Sequence, residues 1–245
     1  MASTPHDFYV PPSVGGSLLA SVKKTGVNEA SLQAPFAFVD ATGDDCTGCD
    51  DADDIPSIIN EDSDFLVDVL MRVCEERNLP LALKIGAHRS VNPNLLEAGD
   101  GMVAFADTAS LARLCIKFPK VKFLATFLSR ANQHEACVLA SKFGNLHIYG
   151  CWWYCNNPSI IDEITRMRIE MLGTSFTAQH SDARVIDQLI YKWSHSRAVI
   201  ANVIAKEYMK TAKSGGWHFS RKEMRRDVWR LFGGSYEEFM EKTLN

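Results

Sequence analysis

From residue 65 onward the apolar positions fall into a repeating order. Phe65, Leu66, Val69, Leu70 and Val73 recur at spacings of three and four. That is the period of a helix with one buried face, and it predicts an amphipathic helix ending near Asn78-Leu79-Pro80. A short apolar run over 81–86, closed by a glycine, then predicts a strand. The alternation repeats: a helix over 108–117, a strand over 121–127, a helix over 133–142, a strand over 146–150, a helix over 158–171 and a strand over 175–179. A long helix over 184–210 follows, and two more lie within 219–232 and 236–242. Pro158 suits the first turn of its helix, where a missing N–H removes no helical hydrogen bond.

Ahead of this region the periodicity is lost. Residues 1–34 mix Pro, Gly and Ser, and 37–39 are compatible with a short strand. Residues 43–54 carry six aspartates and two glycines with almost nothing to bury, which favours an extended, hydrated loop. The chain therefore divides into an irregular leader with an acidic loop, 1–61, and an α/β domain, 62–245. Strands alternating with helices form parallel βαβ units with right-handed crossovers. Two closures satisfy that pattern, an open doubly wound sheet or part of a (β/α)8 barrel. No glycine-rich fingerprint follows the first strand, so a dinucleotide-binding sheet lacks support.

Composition narrows the class. Among 245 residues, 46% are hydrophobic and 23% charged, ordinary for a soluble globular chain with a sizeable core. A net charge of −4 argues against a nucleic-acid binder, which needs a basic face. The basic run Arg221, Lys222, Arg225 and Arg226 is interleaved with Glu223 and Asp227 and reads as a solvated helix face. No apolar stretch approaches the ~20 residues that cross a membrane, and residues 1–16 lack the pattern of a secretory signal. Seven cysteines, an odd count, favour reduced thiols and a cytoplasmic address. Cys46 and Cys49 have metal-ligand spacing, but a structural zinc site needs four ligands and the only other close cysteine pair, Cys151 and Cys155, flanks the tryptophans, so the acidic loop reading is preferred there.

Candidate chemistry gathers at strand ends. In Ser181-Asp182-Ala183-Arg184, a carboxylate and a guanidinium stand two residues apart just past the 175–179 strand. Barrel enzymes keep their reacting groups on that rim. Asp182 can ligate a divalent cation or act as a base. Arg184 can hold a substrate carboxylate or lower the aspartate pKa. Ser181 or Asp182 equally suits a helix N-cap. Arg89, in Lys84-Ile85-Gly86-Ala87-His88-Arg89, stands past the first strand, where a guanidinium can bind a carboxylate through paired hydrogen bonds or form a surface ion pair. Trp152 and Trp153 end the 146–150 strand, and paired indoles either wall a sugar site or pack in the core.

Taken in order, these motifs resemble the C-terminal half of the uronate isomerase (glucuronate isomerase) family, a divergent branch of the amidohydrolase superfamily. The family has a strand-end His-Ile-Gly-Ala-x-Arg, here Lys84-Ile85-Gly86-Ala87-His88-Arg89. Asn92, Asn94, Gly99 and Asp100 match its following Asn-rich and Gly-Asp positions. Its Gly-x-x-Trp-Trp-Phe stands here as Gly150-Cys151-Trp152-Trp153-Tyr154 in approximate register, and its Thr-Asp-Ser-Arg as Ser181-Asp182-Ala183-Arg184. The likeness covers about residues 62–212. It implies the C-terminal half of a distorted (β/α)8 TIM-like barrel and an aldose–ketose isomerase acting on hexuronates. D-glucuronate would give D-fructuronate, and D-galacturonate would give D-tagaturonate. By the same resemblance Asp182 is a zinc ligand and proton shuttle, Arg184 its catalytic neighbour, and Trp153 and Arg89 substrate-binding residues.

Two departures change what is expected. The family's first strand supplies an HxH pair to the metal, and this sequence has no HxH. Lys84 replaces the histidine of the strand-end motif and brings a cation into the site. Family members are about twice this long, so four strands leave a barrel open. The expected partners are a hexuronate and either further copies of this chain or a separate N-terminal half. The alternatives are a non-catalytic interaction module and a metal-dependent hydrolase of the same superfamily.

Overall fold

The computed structural model describes residues Phe8, Tyr9, 61–89, 91, 92, 94, 95, 101–183 and 185–244, with the side chains of Phe8, Tyr9 and 61–66 left aside. The expected strand at 37–39, the acidic loop, Cys46, Cys49, Gly99, Asp100 and Arg184 lie outside the described residues. The chain forms two compact units, Val10–Leu79, and Met1–Tyr9 together with Pro80–Asn245.

In the Val10–Leu79 unit the described part is helix α1 (Glu61–Glu76). Met71 and Cys74 are its buried positions, and burial pushes the Cys74 thiol up to about 11. The helix ends as its periodicity predicts. Asn78 takes a left-handed backbone at φ 48, and the Leu79 N–H donates back to the Cys74 carbonyl at 2.8 Å.

The other unit is mixed α/β. Its strands are β1 (Phe8–Tyr9), β2 (Leu81–Ile85), β3 (Ala87–His88), β4 (Met102–Val103), β5 (Phe123–Phe127) and β6 (Leu146–Ile148). The main sheet has the order β1-β2-β5-β6. β2 and β5 run parallel from Leu81↔Phe123 to Ile85↔Phe127, and β5 and β6 from Phe123↔Leu146 to Ala125↔Ile148. β3 and β4 form a short antiparallel ribbon. Parallel strands buried on both faces are apolar throughout, and all five β5 residues are buried.

Two elements differ from the sequence pattern. The expected strand at 175–179 is reduced to one parallel bridge, Tyr149↔Thr177. The Ala178 N–H donates to the Leu231 carbonyl at 2.8 Å, and the Phe176 carbonyl accepts from Ser235 Oγ at 2.7 Å. The C-terminal segment thus takes the groups that would extend a ladder. Conversely, β1 lies in the leader, which was expected to be irregular, and pairs antiparallel with the edge of β2.

The helices are α2 (Thr108–Lys117), α3 (Gln133–Lys142), α4 (Pro158–Leu172), α5 (Ile186–Gly215), α6 (Arg221–Trp229) and α7 (Ser235–Glu241). Local chemistry starts them. Asp107 caps α2 by accepting from the Ala109 and Ser110 N–H groups, Asn157 caps α4 ahead of Pro158, and Ser220 and Glu223 form a reciprocal capping box on α6. The expected helix within 219–232 breaks after Trp229 into a π-turn, Arg230–Gly234. There the Trp229 ring lies so close to Gly234 that a Cβ would stand 2.3 Å from it. Arg221, Lys222, Arg225 and Arg226 are exposed, a solvated face.

Register places side chains on two sheet faces. Leu81, Leu83, Phe123, Ala125, Phe127 and Ile148 share one buried face. On the other, Ala82 and Leu124 pack against Phe239 of α7, with Tyr149 and Met240 at the margin. His147 stacks on Phe239 with ring centroids 5.1 Å apart, and Lys122 Nζ donates to the Met240 carbonyl. Helix α7 therefore seals the lower part of the face that carries Lys84 and Thr126 at the strands' C-terminal ends. No helix of the described residues is long and apolar enough to cross a membrane. The five described cysteines are free thiols.

Candidate functional site

Consecutive parallel strands bring their C-terminal ends to one rim. β2 contributes Lys84, and its register partner on β5 is Thr126. The turn after β6 contributes Trp152 and Trp153, and the segment after Thr177 contributes His180 and Asp182. Lys84 Nζ forms an ion pair with Asp182 Oδ1, each side chain 21% exposed. The ammonium also stands 5.1 Å from the centroid of the Trp152 ring, a cation–π contact.

Asp182 does not cap the following helix. Helix α5 begins at Ile186, its cap residue is Val185, and no side chain caps it. Instead Asp182 adopts φ 41, a left-handed conformation uncommon for a residue other than glycine. Lys192, from the second turn of α5, donates to the Asp182 backbone carbonyl at 2.7 Å. Backbone strain held by surrounding contacts is a hallmark of functional positions.

A second cluster adjoins the first. The Trp152 and Trp153 rings lie 6.1 Å apart, and Trp153 stacks on Tyr154 at 4.5 Å. The Arg89 guanidinium sits 4.7 Å over the Trp153 ring. Trp153 lies so close to Gly101 that a Cβ there would come within 2.2 Å of it, and Tyr154 OH donates to the Gly101 carbonyl at 2.6 Å. Arg89, Trp153 and Asp182 therefore belong to one continuous line of contacts running through Trp152 and Lys84. Arg184 lies outside the described residues.

Three further residues stand on the rim: Trp152, weighed from sequence only as one of a tryptophan pair, and His180 and Thr126, which the sequence did not single out. Trp152, rather than Trp153, touches the Lys84 ammonium. Its ring is buried and its Nε1 has no partner among the described residues. His180 packs against Tyr149 with ring centroids 4.9 Å apart, and its buried Nε2 is also without a partner. The left-handed Gly150 makes room for this imidazole, because a Cβ there would stand 1.9 Å from His180 Cδ2. Burial pushes the His180 pKa down to about 3, the Asp182 charge opposes that shift, and the cations Lys84, Lys192 and Arg168 add to it. Burial together with the Asp182 charge raises the Tyr149 hydroxyl. Thr126, fully buried opposite Lys84, is the third, with an unpartnered Oγ1. Each buried polar atom left unpaired costs on the order of 1–3 kcal/mol. All three lie on elements that carry or flank the Lys84–Asp182 pair.

Beneath the rim, Arg168 of α4 is 1% exposed. It donates to the Gly150 carbonyl at 2.9 Å and to Gln133 Oε1 at 3.0 Å, and so fixes the turn on which the tryptophans depend. In sequence it is one basic residue among the charges of an amphipathic helix, with nothing to mark it as buried.

A zinc site in a protein requires at least three converging protein ligands. No group of three His, Cys, Asp or Glu side chains gathers among the described residues. The rim carboxylate, Asp182, is already paired with an ammonium. The described residues by themselves therefore do not fit a zinc ion.

No family model and no curated protein matches the chain. Solved structures do. An uronate isomerase from Bacillus halodurans C-125 is 48% identical, with a TM-score of 0.69, over 74% of this chain and 43% of that one. An uronate isomerase from Thermotoga maritima (17% identity, TM-score 0.63, 76% and 43% covered) shares the fold. So does a glucuronate isomerase from Caulobacter crescentus (15% identity, TM-score 0.56, 74% and 40% covered). The chain spans less than half the length of each. The likeness to the uronate isomerases first drawn from strand-end motifs is borne out over that span.

Proposed function

We propose that this chain, a partial relative of the uronate isomerases, carries the acid–base side of a hexuronate isomerase on the C-terminal half of a (β/α)8 barrel. The observation that carries the reading is the Lys84–Asp182 pair, joining the C-terminal end of β2 to the segment past the Tyr149↔Thr177 bridge, with Trp152, Trp153 and Arg89 beside it. The proposed reactions are D-glucuronate to D-fructuronate and D-galacturonate to D-tagaturonate, in cytoplasmic uronate catabolism.

The roles follow from charge and position. Asp182 takes the C2 proton of the open-chain aldehyde. The C2–H electron pair becomes the C1=C2 bond of an enediolate, and the charge passes to O1. Lys84, already within ion-pair reach of the same carboxylate, stabilises that charge. The O2 proton then passes to O1, the C1=C2 electron pair takes the returned proton at C1, and C2 becomes the ketone. Arg89 binds the carboxylate of the acid, and the Trp152 and Trp153 rings separate that end from the reacting end. Arg184 is proposed as the neighbour of Asp182, as the family resemblance implies. A bound zinc ion would polarise the carbonyl, but it would need ligands beyond the described residues, and no step here depends on it. Further strand ends, from a second copy of the chain or from a separate N-terminal half, would complete the wall around the substrate.

The test is turnover of D-glucuronate by the purified chain and by its Asp182→Asn variant. The variant is expected to lose at least about 100-fold in rate, the usual contribution of a positioned general base. No turnover by the unsubstituted chain would favour the non-catalytic interaction module instead.

A further inference from the structure

Three buried polar atoms on the rim have no hydrogen-bond partner among the described residues: Thr126 Oγ1, Trp152 Nε1 and His180 Nε2. They sit on the elements that carry or flank the Lys84–Asp182 pair. Thr126 is the direct register partner of Lys84 on the neighbouring strand, so both side chains leave the same sheet face. The Trp152 ring lies against the Lys84 ammonium. His180 stands two residues before Asp182, against Tyr149 of the same sheet face. Their chemistry is complementary. An indole N–H only donates, whereas a hydroxyl and a neutral imidazole can each donate or accept. Together they suit a ligand with several hydroxyl or carbonyl oxygens along one carbon chain.

Packing shows that the orphaned atoms are held in place. Gly150 admits the imidazole only because it lacks a Cβ, and Arg168 anchors the Gly150 carbonyl from below. Elsewhere in this unit Thr165 Oγ1, Arg168 Nε, His195 Nε2 and Arg230 Nε are also buried without a hydrogen-bond partner among the described residues, while other buried polar groups are satisfied. Asn132 exchanges hydrogen bonds with the backbone of Ala106, and Asn145 Nδ2 reaches two carbonyls. What sets the rim trio apart is its position beside the Lys84–Asp182 ion pair.

We infer that Thr126, Trp152 and His180 form the hydroxyl-recognising side of the substrate site and set which polyhydroxylated acids it accepts. This rests on the hexuronate reading above. Bound substrate oxygens satisfy the three atoms, so the cost of leaving them unpaired in the free protein is recovered on binding. An apolar replacement of matching shape then moves stability and binding in opposite directions, because the free state loses an orphan and the complex loses a hydrogen bond.

The experiment uses the full chain and its Thr126→Val and His180→Phe variants, which keep side-chain volume close to the original. Dissociation constants for D-glucuronate and for its 3-deoxy and 4-deoxy analogues are measured by titration calorimetry, beside thermal unfolding without ligand. The expected result is a midpoint for Thr126→Val equal to or above that of the parent, with D-glucuronate bound about 10-fold more weakly by each variant. At least one deoxy analogue should bind parent and variant alike, because it lacks the hydroxyl that the variant cannot reach. Unchanged D-glucuronate binding in both variants overturns the inference and leaves the hexuronate reading standing. So does a loss that is the same for D-glucuronate and both analogues with a lowered midpoint, which is the mark of a structural role. If the parent chain binds no D-glucuronate, the hexuronate reading itself fails, and this inference with it.

Discussion

Gly150 and Gly173 both hold a left-handed backbone, at φ 66 and 62, yet only Gly150 touches a functional side chain. A Cβ at Gly173 meets nothing within 4 Å, whereas at Gly150 it would strike the His180 ring. Gly173→Ala should therefore cost about 1 kcal/mol, the strain of the backbone alone. Gly150→Ala should cost at least about twice that, because the imidazole must also move. Urea denaturation of the two variants checks this, and equal losses would mean that Gly150 does not position His180. A second residue-scale prediction concerns His147, 4% exposed, whose Nε2 lies 2.9 Å from Thr177 Oγ1. Burial, helped by the Arg168 charge, pushes its pKa from 6.5 down to about 4. The unfolded chain then binds a proton that the folded one refuses. Stability is unaffected above pH 6.5 and falls as the pH drops from 6.5 to about 4, by at most about 3 kcal/mol. His147→Gln, which keeps a polar partner for Thr177 and cannot titrate, should reduce the slope over that range and leave the part that His180, also pushed down, contributes. An undiminished slope in the variant would assign the acid sensitivity to other groups.

Among the elements, α7 has the least obvious role in sequence and a central one in the fold. Its seven residues read as one more surface helix. Phe239 nevertheless packs on Ala82, Leu124 and the His147 ring, and closes the sheet face below the rim. Phe239→Ala should cost about 3 kcal/mol, as for a large side chain removed from a packed site, measured by urea denaturation. A loss below about 1 kcal/mol would mean that the sheet face does not depend on this helix. The other helices were legible because periodicity and caps agreed. The residues expected for α2 and α3 are those observed, and Asn157-Pro158 opens α4 as its sequence predicts. The misses have a common physical origin. The strand at 175–179 is a single bridge, and the helix within 219–232 is interrupted, because the C-terminal segment bonds to Phe176 and Ala178. Such long-range pairing leaves no periodic trace. The short β1 was hidden for the same reason, since edge pairing of two residues needs only a free ladder.

For the molecule as a whole, the motifs that carried the resemblance lie past β2, past β6 and past the Tyr149↔Thr177 bridge, and the fold turns that linear order into one rim. Asp182, Trp153 and Arg89 were legible as chemistry. The Lys84 contact with Asp182 was not, because register decides which strand-end side chains meet. Nor was the difference between the two tryptophans, set by a turn in which Trp153 takes φ 44. The buried Arg168 and the unpartnered His180 became visible only through burial. The account's central claim is that the rim moves a proton between adjacent carbons of a uronate. The most direct measurement is proton NMR of D-glucuronate incubated with the full chain in deuterium oxide, beside Asp182→Asn. The account predicts that the ketose formed carries solvent deuterium at C1 with the parent chain, and that product and label are lost together in the variant. Unchanged product and label in Asp182→Asn, or no product from the parent, would contradict it.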